Sequence, residues 1–220
     1  MTTAKAGKTR SRILEAAREL FNAQGERQVS TNHIAAALGM SPGNLYYHFR
    51  NKGEIVRALV NEYSRAGMQA LSFVPEHAFT IEDKRVLLEG SVHLMWHYRF
   101  VHKDIDYLLA EDEELKNALM NLSQSLIQQM KRLIRLMVKA GIYRKMNERE
   151  LEALVFNSWI VLVSWIGSVG AMVISRHEDE FSKETIRRGI YQILMLDKTY
   201  VTDRYQETFQ QLLDEYYVKV

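Results

Sequence analysis

The sequence has 220 residues and no cysteine, with 29 Lys and Arg against 27 Asp and Glu. That length supports two modest domains with sizeable cores. The lack of thiols excludes a disulfide framework and a thiolate zinc site, as suits the cytoplasm, and Thr, Ala, Lys and Gly near the N-terminus form no signal-peptide core. Charge is uneven: residues 1–65 hold ten basic against five acidic residues, and the remainder 19 against 22. A partner rich in phosphate is therefore to be sought at the N-terminal end.

Ile13, Leu14, Ala17, Leu20 and Phe21 recur at helical spacing, and Gly25 closes the run. Lys8, Arg10 and Arg12 crowd the start of this helix, where each cation opposes the dipole by ~0.3–1 kcal/mol. Either the terminus is solvated and frayed, or residues 1–8 form a flexible basic arm for DNA phosphates. Ser30 suits an N-cap for a second short helix, in which Ile34, Ala35 and Leu38 make the buried face. Gly39 supplies a turn. Ser41 caps a third helix, with Pro42 at its first position, where a missing N–H costs nothing. Leu45 and Phe49, four apart, share the inward face. Asn44, Tyr47 and His48 are left outside it, with Tyr46 at its edge. So short a helix cannot stand alone. Two short helices across a glycine turn, the second polar and aromatic, point to a helix-turn-helix DNA reader.

Residues 9–55 resemble the DNA-binding domain of the TetR (tetracycline repressor) family of bacterial transcription regulators. The matching run is Thr9-Arg10, Ile13-Leu14, Ala16-Ala17, Leu20-Phe21, Gly25, Ser30, Ile34-Ala35, Leu38-Gly39, Ser41, Gly43, Leu45-Tyr46, His48-Phe49 and Asn51-Lys52. Two positions depart from it. Glu26 stands where the family has an aromatic, a change that bears on loop packing, and Pro42 offers no side-chain donor to a base. The resemblance implies a major-groove reader in which Gly43, Asn44 and Tyr47 lie nearest base edges. Tyr46, His48, Lys52 and the Ser30/Thr31 helix start would hold phosphates, and Ser41 and Pro42 open the reading helix.

Beyond Lys52 the pattern is helical almost throughout. A helix from Ile55 runs to about Leu71, and Pro75 marks a break. Thr80 and Asp83 resemble a capping box for a helix ending near Val101. A short helix near Ile105–Ala110 precedes a long one from Asp112 to Gly141. Asn147 with Glu150, and then Ser182, open two more, and a last helix carries Tyr205, Phe209, Leu212 and Tyr216. The predicted fold is all-α: an N-terminal three-helix helix-turn-helix domain over 9–65 and a C-terminal helical bundle over 66–220.

Ala153 to Ile174 contains no charge and is long enough to span a bilayer of about 20 residues. Its Asn, Ser and Gly residues, and the lack of a second span to pair with, favour a buried central helix instead, and no membrane is implied. Small residues at 164, 167, 168 and 171 suit close helix approach. The family resemblance implies that this helix and the segments around 183–217 form a homodimer interface.

Glu89, His93 and His97 fall four apart on one helix face, a spacing that can hold a metal. Arg85 on the same stripe makes a solvent face the plainer reading. No phosphate loop, nucleophile elbow or carboxylate pair points to an enzyme or a cofactor. Trp96, Phe100, Met130, Met137, Trp159 and Trp165 are ordinary core by composition. The resemblance makes them candidates for an effector pocket suited to an apolar or aromatic small molecule. It implies a repressor that an effector releases from a palindromic double-stranded operator. The alternative is a helical small-molecule sensor or carrier acting through protein partners.

Overall fold

The computed structural model describes residues 3–72, 75–103, 105–172 and 182–219. The helices are α1 (Thr3–Gln24), α2 (Thr31–Ala37), α3 (Pro42–His48), α4 (Lys52–Leu71), α5 (Ile81–His97) and α6 (Arg99–Lys103). They continue as α7 (Ile105–Glu111), α8 (Glu113–Lys139), α9 (Glu148–Met172), α10 (Lys183–Lys198) and α11 (Gln206–Tyr216). An isolated antiparallel bridge, Tyr143 to Val201, is the only β pairing among the described residues. The chain divides into two units, 1–65 with 97–120 and 66–96 with 121–220.

In the first unit Ile13, Leu14, Ala17 and Phe21 of α1, Ile34 and Ala35 of α2, Leu45 of α3 and Ile55, Val56 and Leu59 of α4 are buried. These are the positions that helical periodicity turns inward. The basic segment ahead of the first helix is, from Thr3 onward, part of α1. Ala4, Lys5, Ala6 and Lys8 are good helix formers, so the helix starts early and its cations sit inside it rather than at its end. The guanidinium of Arg10 lies 4.6 Å over the Phe49 ring.

Residues 97–120, which by sequence order alone go with the larger domain, pack in the first unit. The Asn22 side-chain amide donates to the His97 carbonyl at 2.9 Å and accepts from the Phe100 N–H at 3.0 Å. Phe100 is fully buried, its ring centroid 5.4 Å from that of Phe21. Arg57 of α4 is paired with Asp112, whose carboxylate also caps α8 through the Leu115 N–H at 3.0 Å. Tyr63 and His102 share a hydrogen bond of 3.1 Å.

Helix starts in the second unit follow local caps. Thr80 and Asp83 bond reciprocally ahead of α5, as do Asn147 and Glu150 ahead of α9 and Ser182 and Thr185 ahead of α10. Leu87, Leu133, Ile190, Leu194, Phe209 and Leu212 lie in the core that α5, α8, α10 and α11 enclose with α9. The uncharged run reads as a buried central helix, but among its described side chains α9 is buried on one face only. Leu151, Leu154, Val155 and Ser158 are covered, whereas Phe156, Asn157, Ile160 and Ser164 are exposed. The sequence shows two apolar faces and not which of them the chain itself covers. Val173 and Ile174, the end of that run, and the side chains of 167, 168 and 171 lie outside the described residues. No described helix is long and apolar enough to cross a membrane.

Gly189 sets how closely α9 and α10 approach. A Cβ on it would stand 2.7 Å from Cδ1 of Trp165, whose indole N–H donates to the Thr185 carbonyl at 2.7 Å. Gly189→Ala must push the ring away and strain that bond, at a cost of about 1–3 kcal/mol. In thermal or denaturant unfolding we expect Trp165→Leu/Gly189→Ala to be less destabilised than the two single effects added together. Strict additivity would mean that the two positions do not press on each other.

Candidate nucleic-acid interface

The reading helix is built by short-range chemistry. The Ser41 hydroxyl accepts from the Asn44 N–H at 3.3 Å, and Pro42 occupies the first turn. Ahead of it, Gly39 adopts φ +61°, a backbone state that favours glycine. The α2 start is closed by a reciprocal pair. The Ser30 hydroxyl accepts from the His33 N–H at 3.3 Å, and the Ser30 N–H donates to His33 Nδ1 at 3.4 Å. Leu45 and Phe49 lock α3 onto the head, being 0% and 2% exposed. The opposite face is open: Ser41, Pro42, Gly43, Asn44 and Tyr46 are exposed, and Tyr47 is 75% exposed. At that exposure the Tyr47 ring adds little to the packing that anchors the helix.

Some of these side chains already have protein partners. The Tyr46 hydroxyl lies 3.0 Å from the Thr31 hydroxyl, tying α3 to the start of α2. The half-buried His48 ring meets Tyr47 edge-on at 5.2 Å. Lys52 Nζ donates to the Glu26 carbonyl at 3.0 Å and lies 2.9 Å from its carboxylate. Glu26, the residue that departs from the family pattern, is thus a buried partner of a phosphate candidate, not a loop residue alone. Pattern matching shows that departure; only the fold shows what it touches. Asn51 and Glu54 cap α4 beside it, through Asn51 Oδ1 to the Glu54 N–H and Glu54 to the Arg50 N–H.

In the second unit a cavity of about 120 Å³ is lined by Met130, Met137, Leu133 and Ile190 among others. Lys84, Asp197, Ser91 and Ser158 form its polar wall. Of the six residues proposed for an effector pocket, Met130 and Met137 line it. Trp96 packs, partly buried, against the core of this unit. Trp165 is held at the α9–α10 seam, and Trp159 is partly buried on α9. Phe100 sits in the core of the first unit instead, because Phe21 and Asn22 claim it. Size and polarity alone do not say which core a large side chain joins.

The Glu89 carboxylate accepts two bonds from Arg187, at 2.7 and 2.9 Å, and one from the Tyr216 hydroxyl at 2.7 Å. It thereby ties α5 to α10 and α11. Burial first, then the hydrogen bond to Glu89 and its negative charge, raise the Tyr216 hydroxyl pKa. His93 is exposed. Among the described residues no three His, Cys, Asp or Glu side chains are grouped to hold a metal.

Comparison with known proteins agrees with this architecture. Residues 13–59 match the bacterial regulatory proteins of the tetR family, and residues 62–209 match a companion family of bacterial transcriptional repressors. The transcriptional regulator SrpR of Pseudomonas putida is 30% identical over 142 residues, 64% of this chain and 66% of SrpR. The match to TtgW of P. putida, 39% identical, spans 54% of that protein. A TetR-family regulator from Marinobacter aquaeolei superposes with a TM-score of 0.84 at 34% identity, covering 99% of this chain and 100% of that one. SmeT, repressor of the Stenotrophomonas maltophilia efflux pump SmeDEF, shares the fold at 22% identity, TM-score 0.62, over 88% of this chain and 91% of its own. SmeT is also known in complex with triclosan. With both parts of the chain matched in order, this protein belongs to the TetR family of bacterial transcriptional regulators.

Proposed function

We propose that this protein is a homodimeric repressor that binds a palindromic operator and is released by a small apolar or aromatic molecule. The observation that carries the reading is the open face of α3, where Asn44 and Tyr47 project from a helix anchored by Leu45 and Phe49. Such a helix fits the major groove, and a twofold protein presents it twice, hence the palindrome. Gly43, Asn44 and Tyr47 face base edges. Ser30, Thr31, Tyr46, His48 and Lys52 meet phosphates, with Ser41 and Pro42 fixing the helix start. The second unit supplies the effector cavity beside Met130 and Met137, in keeping with the triclosan complex of SmeT. Effector and operator weaken each other's binding by the same factor, as linkage requires. A regulator of this kind works in the cytoplasm, where the chromosome is, and no catalytic step is assigned to it.

Selection of sites from a randomised duplex pool tests the reading; a palindrome bound with steep salt dependence is the expected product. Two substitutions then separate roles. Tyr47→Ala costs about 1–3 kcal/mol on the selected site and alters preference among operators. Lys52→Ala weakens binding to every sequence and lowers the salt slope by about one unit. An unchanged slope would assign Lys52 to holding Glu26 and the head together, not to DNA. A folded dimer that enriches no site would pass the role to the sensor or carrier alternative.

A further inference from the structure

The Lys84–Asp197 pair is the least explained feature of the second unit. Lys84 Nζ and Asp197 Oδ2 are 2.8 Å apart, and the side chains are 9% and 4% exposed. Each shares its cavity-lining face mostly with apolar residues, Lys84 on α5 with Leu87 and Leu88, and Asp197 on α10 with Ile190 and Ile193. As a cross-link between two helices this is an expensive choice, since well-packed apolar residues often serve as well or better. Both residues line the cavity, together with Ser91, Ser158, Met130, Met137 and aliphatic side chains. Tyr143 stays neutral next to the pair, its hydroxyl pKa raised by burial and then by the Asp197 charge.

Three properties of this cavity define what fits it. Its size, about 120 Å³, is that of one ring; an engineered cavity of about 150 Å³ with apolar walls admits benzene. The net charge of the pair is zero, so a charged ligand would bring an uncompensated ion into a largely apolar space. The pair offers donor and acceptor together: an ammonium has three N–H groups and a carboxylate several lone pairs. A hydroxyl can accept from Lys84 and donate to Asp197 at once. Met130 and Met137 favour an aromatic body over an alicyclic one through sulfur–ring contact.

We propose that the cavity recognises a neutral single-ring phenol, its hydroxyl seated on the Lys84–Asp197 pair and its ring between α8 and α10. The proposal rests on reading this cavity as the effector site. The probes are p-cresol, toluene and p-toluate, titrated calorimetrically against the full-length protein. We expect p-cresol to bind at least about tenfold tighter than either analogue, because toluene leaves the polar wall unsatisfied and p-toluate adds a charge. Lys84→Met/Asp197→Leu removes the polar wall at similar volume and should bring p-cresol and toluene within about threefold of each other. Should that variant not fold, Leu162→Trp, which fills the cavity with the pair intact, should abolish p-cresol binding.

Toluene binding as tightly as p-cresol, p-toluate binding more tightly, or no probe binding at all overturns the proposal. Operator affinity measured with and without p-cresol separates the two readings. Selective binding of p-cresol that leaves operator affinity untouched keeps the ligand class and removes the effector reading. Loss of selectivity with operator binding intact removes the ligand class alone.

Discussion

We expect Phe156→Glu/Ile160→Glu to turn the proposed dimer into a monomer and to lower operator affinity at least about a hundredfold. Phe156 is 58% and Ile160 44% exposed, four residues apart on α9, with Ser164 four further on. Met195, on α10, is likewise exposed, at 40%. A helix that is apolar on both faces is normally covered on both, and among the described residues of α9 only the Leu151, Leu154 and Val155 face is covered. A second copy meeting this face through its own would cover the other, since a twofold interface is self-complementary. Two glutamates per subunit would bring four carboxylates into that contact without apolar replacement. Both positions are exposed in the single chain, so the monomer should keep its helical content, with a stability change within about 0.5 kcal/mol at each site. Affinity falls because the second half-site is no longer bound at the high local concentration that linkage confers. Sedimentation equilibrium and operator titration check both parts. A variant that remains dimeric would place the interface elsewhere.

The second large effect is on stability against pH. His102 is 7% exposed and its pKa is lowered to about 4 by burial, from an ordinary value of 6.5. Burial also raises its partner Tyr63, so both groups are neutral at pH 7. In the unfolded chain the imidazole takes up its proton near pH 6.5; in the folded chain it resists until about 4. Between those values the unfolded state binds more protons. The stability present above pH 6.5 is therefore lost as pH falls, by about 3 kcal/mol at the lower limit. His102→Gln retains a hydrogen-bonding group for Tyr63 and cannot charge. It should be less stable at pH 7 yet show a shallower slope between pH 6.5 and 4. His97, whose pKa is lowered by partial burial and then by Arg18, titrates in both proteins and cancels in the comparison. Equal slopes from denaturant unfolding at several pH values would show that His102 charges freely in the folded protein.

The DNA-reading head is the part most legible in the sequence, and the reason is the range of the forces involved. Ser41, Pro42, Leu45 and Phe49 specify a short capped helix with one inward face, and the structure has it over Pro42–His48. Asn147 with Glu150, and Ser182, mark the starts of α9 and α10 for the same reason. Caps, turns and periodicity act within four residues, and four residues can be read from a string.

Partners far apart in the chain were decided by the tertiary structure alone. Helical spacing shows that Phe100 is inward-facing, but not that Phe21 and Asn22 receive it in the first unit. Family matching singles out Glu26 and Lys52 separately, and only the fold puts them 2.9 Å apart. Glu89 on a His-bearing stripe reads as a ligand or a solvent residue; Arg187 and Tyr216 make it a cross-link. Lys84 and Asp197 are 113 residues apart, and only the fold brings them to 2.8 Å, where each buried charge meets the opposite one it needs. The sequence determines which face of each helix turns inward, because that follows from spacing along one helix. Which faces meet depends on how all the helices fill one volume, and that was decided only by the tertiary structure.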